Sequence, residues 1–347
     1  MIAELLSREA EAAASPLQRA LRRAARRAFL WPEQAAELVA QGRSLTELSG
    51  IGPYLEKVIR RWLDQPEPLA APPAIRRDFI SLAQAKVLVS HKASWLTNLG
   101  GDLQMHTEWS DGSGSVEAMA QAAEERGYDY IAITDHSKGL KIAGGIDEQE
   151  LADQGREIDG VNERLQRERK KVRVLRSVEL NLDTRGESDL ADEALDKLDL
   201  VLGAFHSALR KTDDQTERYV AALRNPSIQI LGHPRGRIYN YRTGLKADWS
   251  GVFATAASLD KAVEIDAYPD RQDLSMELLS LARTAGCRIS IGTDAHHPWQ
   301  LEFISLGLAH ALRAGIKRER ILNFMEREEL LDWVSQVRGE AGRSNGH

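Results

Sequence analysis

From residue 101 onward the chain alternates between short apolar runs and longer amphipathic stretches. The runs lie at 102–106, 130–135, 172–179, 198–205, 228–232, 262–266 and 288–293. They are apolar on both faces, the pattern of strands that pair in parallel and are covered by helices. Amphipathic helical stretches separate them, of which 116–126, 151–169, 213–224 and 274–285 are the clearest. Seven such strand-helix units predict an α/β fold, a distorted seven-stranded (β/α)7 barrel. An open doubly wound sheet is the alternative topology.

Before residue 101 the pattern is helical. Ser15 and Pro16 are an N-cap and a first-turn proline, opening a helix to about Phe29. Pro32 begins another through Ala40, and Ser44 can cap a turn at 45–48. Gly50 and Gly52 then form a hairpin leading into a further helix. Four prolines in the nine residues 65–73 mark a linker, and a helix over 74–87 joins it to the barrel. The expected organisation is a helical domain (1–64), linker and connecting helix (65–100), barrel (101–338) and a frayed tail (339–347).

Composition narrows the class. The 347 residues are 42% hydrophobic and 28% charged, as in soluble globular proteins. Net charge is −6, so any contact with nucleic acid must be local. The single cysteine, Cys287, reads as a small core residue and excludes an intrachain disulfide, which fits a reducing cytoplasm. No apolar run approaches the roughly 20 residues a membrane span needs, and the N-terminus lacks a signal-peptide core. A cytoplasmic protein without a membrane partner is expected.

Candidate chemistry sits at the ends of the runs. Five of the nine histidines close an apolar run: His106, His136, His206, His233 and His296. A sixth run ends in Glu179. In a parallel barrel such positions converge on one mouth, where these folds do chemistry. Alternation puts Gln104 and His106 on one face, and Asp111 follows in a glycine-containing loop. His136 is taken as a metal ligand and its neighbour Asp135 as the group that orients a ligand imidazole. Glu179 can bridge two cations, and Asp294 and His296 face the same way. A salt-bridged barrel would explain one buried carboxylate. Eight ligand-type side chains on one rim exceed what one tetrahedral zinc can use, so two or three cations are implied. Glu179, His206, Asp294 and Asp135 are the candidate catalytic residues.

From about Gly101 to Arg338 the chain resembles the PHP (polymerase and histidinol phosphatase) domain family, most of all the C-terminal PHP domain of bacterial family X DNA polymerases. The motifs are Asp102–Gly112, Thr134–Ser137, Val178-Glu179, Ala204–His206, Gly232–Pro234, Val263–Asp273 and Gly292–His296. The resemblance implies a TIM-like barrel and three divalent metal ions, zinc or manganese, with iron also compatible. It assigns His106, Glu179 and Asp294 to one metal. Glu179, His206 and His233 go to a second, and Asp111, His136 and His296 to the third. Gln104 stands where many members have a further histidine, which would loosen the first site.

The implied reaction is hydrolysis of phosphate esters, a metal-bridging hydroxide attacking phosphorus. Arg235, Arg237, Arg271 and Lys138 are candidates to clamp the phosphate. Gly50 and Gly52 resemble a helix-hairpin-helix element, whose amides can meet a DNA phosphate, with Lys57, Arg60 and Arg61 adding contacts. Arg19, Arg22, Arg23, Arg26 and Arg27 read as a solvated helix face that hints at the same partner. About 35 residues separate Asp64 from Gly101, too few for a nucleotidyl-transfer module, so no polymerase activity is expected. The function expected is that of a DNA 3′-5′ exonuclease or 3′-end phosphatase; the alternative is a small-molecule phosphomonoesterase of the histidinol-phosphatase kind.

Overall fold

The structure, a computed structural model, describes residues 2–66 and 70–344. Residues 67–69 of the expected linker and 345–347 of the expected tail lie outside the described residues.

β1 (Gly101–Asp102), β2 (Tyr130–Ile133) and β3 (Arg173–Arg176) form one parallel sheet. β4 (Glu179–Leu182), β5 (Leu202–Phe205), β6 (Ile230–Leu231), β7 (Ala262–Asp266) and β8 (Arg288–Gly292) form a second, also parallel. Every expected run overlaps a strand, the first only at Asp102, where β1 ends, and the third is broken at Ser177 and Val178 into β3 and β4, which runs on to Leu182. The sheets meet at two seams. His136 bridges to Glu179, and Met105 to Ala295, both in parallel. At the second seam His106 N–H donates to the Ala295 carbonyl at 2.7 Å and Asp294 N–H to the Gln104 carbonyl at 3.0 Å.

Alternation explains why the strands are apolar on both faces. Ile131 and Ile133 pack with the covering helices, while Tyr130 and Ala132 enter a separate cluster with Leu175, Leu202 and Ile230. Full burial of such a side chain contributes about 1.5–3 kcal/mol, so sheet register is strongly specified.

Helix starts follow their caps. Glu148–Arg167 begins before the expected 151 because the Asp147 carboxylate accepts from the Gln149 and Glu150 amides at 2.9 and 3.0 Å. The connecting helix over 74–87 is not continuous. A short 3₁₀ turn, Ala74–Arg76, is followed by extended chain and then by Leu82–Ser90, capped at Ser81. The break has a cause: Gln272 accepts from Ile80 N–H at 3.0 Å and donates to its carbonyl at 2.8 Å, pinning the segment to the chain that follows β7. The last helix, Arg327–Ser344, runs past Gly339, where a frayed tail was expected. Leu330, Trp333, Val334 and Val337 are buried along one face and hold it.

Ahead of β1 lie helices Ile2–Ala12, Leu17–Arg27, Ala35–Ala40 and Pro53–Asp64. The glycine hairpin is preceded by a 3₁₀ turn, Leu45–Glu47, where a turn was expected, and Ser44 caps it by accepting from Thr46 N–H at 3.2 Å. Gly50 has φ +86° and Gly52 caps Pro53–Asp64. These helices are joined to the sheets through Tyr239, which lies in the helices' own apolar cluster. Its ring meets Phe29 at 4.7 Å and Phe79 at 5.1 Å between centroids, both edge-on, and its hydroxyl bonds Ser7 at 2.9 Å. Among the described residues, no helix is long and apolar enough to cross a membrane.

Candidate metal centre

The segments that leave β1, β2, β5, β6 and β8, together with the first residue of β4, bring the expected ligands into one cluster. Its centre is the Glu179 carboxylate at the start of β4. Oε1 lies 2.6 Å from His233 Nε2 and 2.9 Å from His206 Nε2. Oε2 lies 3.2 Å from His106 Nε2, 3.4 Å from His136 Nδ1 and 3.2 Å from Gln104 Nε2. His106 Nε2 is also 2.9 Å from Asp294 Oδ1. Asp111 Oδ1 sits 3.2 Å from His296 Nε2 and 3.6 Å from His136 Nε2. The His106 ring stacks between His136 and His296, at 4.3 and 4.4 Å. One side is closed, with Gln104, His106, Glu179 and Asp294 buried; Asp111, at 37% side-chain exposure, marks the open side.

Three groups of donor atoms are close enough to hold an ion: His106, Glu179 and Asp294; His136, Glu179 and His206; and His106, Asp111, His136 and His296. His233 touches Glu179 without completing such a group. The donor set fits divalent cations. Burial opposes ionisation of Glu179, yet His233, His206 and the hydrogen bond with His106 hold it well below the carboxylate range. Asp294 is likewise lowered against burial, by Arg271 and His106. Burial pulls His136 down to about 3, leaving the neutral form that ligates. The buried Nδ1 atoms of His106 and His136 and Oε1 of Gln104 have no hydrogen-bond partner, and buried polar atoms are rarely left so.

Several expected roles are corrected. Asp135 touches no imidazole. It accepts from Thr107 N–H at 2.7 Å, Thr107 Oγ1 at 2.6 Å, Ser110 Oγ at 2.5 Å and Gln154 Nε2 at 2.7 Å. Its work is to fix the loop that carries Asp111. Arg237 is buried, stacks 3.9 Å from the Phe79 ring centre and donates to the Arg77 carbonyl, so it is a domain contact and not a phosphate clamp. Lys138 is drawn away by Glu148 at 2.7 Å. Arg271 does reach the cluster, pairing with Asp294 and lying 3.7 Å from Asp266. Arg235 is half-buried in the loop after His233. In the hairpin, Gly50, Gly52 and Lys57 are exposed, but Arg60 is held by Glu56 at 2.9 Å and by the Arg43 carbonyl at 2.7 Å. His297 accepts from Trp299 N–H, a loop contact as expected.

Three residues at the site went unassigned in the sequence. Asn181 Oδ1 lies 3.1 Å from His206 Nδ1, so that ring directs Nε2 at Glu179. Glu264 and Asp266 on β7 are fully buried beneath the cluster. Glu264 accepts from His233 N–H at 2.6 Å, and burial together with Asp266 raises it well above the carboxylate range. The signal for all three was available: polar residues two apart, on one face of an apolar strand.

A PHP domain model matches residues 102–289, more than half of the chain, and the protein therefore belongs to the PHP domain family. The expected metal-dependent phosphoesterase class agrees with that membership. Among relatives, the DNA polymerase/3′-5′ exonuclease PolX of Bacillus subtilis is 35% identical over 229 residues, 66% of this chain and 40% of that protein. A probable phosphatase of Caldicellulosiruptor saccharolyticus is 29% identical over 194 residues, 52% of this chain and 73% of that one. The zinc-, L-histidinol- and phosphate-bound structure of histidinol phosphate phosphatase from Lactococcus lactis aligns with TM-score 0.48 and 17% identity, over 63% of this chain and 94% of that one.

Proposed function

We propose that this chain hydrolyses phosphate esters at polynucleotide 3′ ends, as a 3′-5′ exonuclease or 3′-end phosphatase, and that its two sheets act as one distorted barrel closed at the two seams. The observation that carries the hydrolytic reading is Glu179, whose two oxygens face four imidazoles within 3.4 Å. His106, Glu179 and Asp294, Glu179 with His136, His206 and His233, and Asp111 with His136 and His296 would hold divalent cations. When bound, such ions neutralise phosphate oxygens and make water a nucleophile near neutral pH.

The chain's own groups do the rest. Arg271, anchored on Asp294, offers a guanidinium at the mouth that can meet a phosphate through two parallel N–H bonds. Asn181 sets which nitrogen of His206 faces the centre, and Asp135 holds the loop bearing Asp111. What favours a polynucleotide is the helical domain. Gly50, Gly52 and Lys57 stand exposed, as do Arg19, Arg22, Arg23, Arg26 and Arg27 on helix Leu17–Arg27. The family X relative points the same way.

The test is a substrate panel with Mn²⁺: end-labelled single-stranded DNA, histidinol phosphate and a chromogenic phosphomonoester. Release of nucleotides or of 3′ phosphate from DNA, lost in His206→Ala and Asp294→Ala, is expected. Turnover confined to histidinol phosphate would replace this function with the small-molecule one.

A further inference from the structure

Beside the cluster, two loops form a shelf that hydrolysis itself leaves unused. One leaves β5 through His206 and carries Leu209 and Arg210; the other leaves β6 through His233 and carries Arg235, Tyr241 and Arg242. The two touch, since a Cβ added at Gly236 would lie 3.2 Å from Leu209 Cδ2. Tyr241 is 53% exposed, with the Arg210 guanidinium 4.7 Å and that of Arg242 6.0 Å from its ring centre.

The charges here are unbalanced. Among the described residues, none of Arg210, Arg235 and Arg242 forms an ion pair, although the chain carries 52 acidic residues. Arg242 donates through Nε to the Gly236 carbonyl, which fixes it to the loop. Arg235 Nε is buried without a partner. Arg242 is held below the ordinary arginine value by burial first and then by Arg271 and Arg210. Asp273 is a carboxylate behind this loop, fully buried and accepting from Gly236 N–H at 2.7 Å, so the outward face is left to Arg210 and Arg242 beside Tyr241, near Arg271, which pairs with Asp294 at the cluster.

We propose that Arg210, Tyr241 and Arg242 dock the nucleotide next to the reacting phosphate of a single-stranded polynucleotide, a subsite that rests on the function proposed above. The base stacks on Tyr241 and its phosphate meets the two arginines. A small phosphomonoester has one phosphate, which the cluster and Arg271 already satisfy, and leaves the shelf nothing to hold. A duplex keeps its bases inside, so an exposed aromatic ring gains a partner only from an unpaired strand. The helical domain supports the shelf, because Tyr239, two residues before Tyr241, is buried against Phe29 and Phe79.

Binding of a fluorescent single-stranded oligonucleotide with hydrolysis-resistant phosphorothioate linkages, read by anisotropy, tests this. Tyr241→Ala and Arg210→Glu should each raise Kd about tenfold, and Tyr241→Phe should bind as the wild type does. In steady-state assays the preference for an unmodified oligonucleotide over a chromogenic phosphomonoester should fall by the same factor in Tyr241→Ala. Equal Kd values for wild type, Tyr241→Ala and Arg210→Glu would overturn the shelf, even with DNA hydrolysis intact. Binding that depends on Tyr241 without any hydrolysis would leave the shelf standing and overturn the 3′-end function.

Discussion

Glu179 is the residue on which the cluster turns, because it alone faces four of the histidines. Glu179→Gln should cut bound metal by at least one equivalent in elemental analysis and reduce ester turnover more than about 100-fold, since a neutral amide cannot offset a cation's charge. Asn181 acts through another side chain. Asn181→Leu should lower metal affinity and turnover about 10–100-fold, while Asn181→Asp, still an acceptor for His206 Nδ1, should recover most of both in a metal-competition titration. A third prediction lies away from the cluster. Burial alone pulls Lys261 from 10.5 down to about 7. Between those values the folded chain binds fewer protons than the unfolded one, so this group makes stability rise with pH. Lys261→Met should therefore be the more stable protein below pH 7, by about 1–3 kcal/mol, and its advantage should fade as pH climbs toward 10.5; urea titrations across that range would show it. At this scale much was legible. Strand-end convergence is a rule of parallel folds, so the histidines announced themselves. Arg60 was also readable, since Glu56 four residues earlier on the same helix is its natural partner. Arg237 was not, because its aromatic partner, Phe79, comes from a segment far away in sequence.

Among the elements, the loop from Pro234 to Lys246 is shared between the N-terminal helices and the sheets. Tyr239 enters the helical core, Arg237 stacks on Phe79, and Asn240 accepts from Arg76 at 3.2 Å. Phe79→Ala should destabilise the protein by about 3 kcal/mol in thermal or urea melts, and should also weaken oligonucleotide binding while leaving the cluster ligands in place. Strand positions and most helices followed from periodicity. The broken third strand did not, because the run from Val172 to Glu179 holds no proline or glycine to mark a break and only tertiary pairing shows that β3 and β4 serve different sheets. The connecting helix was misjudged for a similar reason. Gln272 supplies the backbone partners of Ile80, and a contact across 192 positions leaves no mark on local spacing.

For the molecule as a whole, cation binding and folding should be linked, because ions that bind only the folded cluster stabilise it by mass action. Chelation should lower the melting temperature and abolish turnover, and Mn²⁺ or Zn²⁺ should restore both; an unchanged melting curve after metal removal, verified by elemental analysis, would contradict this. Salt offers a second check. With net charge −6, attraction to polyanions must come from local arginines, and raising salt from about 50 to 200 mM should weaken oligonucleotide binding far more than small-ester turnover.

Tyr239 carries a lesson for anyone who would cut or recombine this chain. A boundary drawn in the linker would sever an aromatic lock whose bolt belongs to one half and whose socket belongs to the other. The sheet-bearing part transplanted alone would expose an oily scar beside its cluster of histidines, and the helices alone would lack the ring that fills their centre. Exchange between relatives should carry both sides of that joint together.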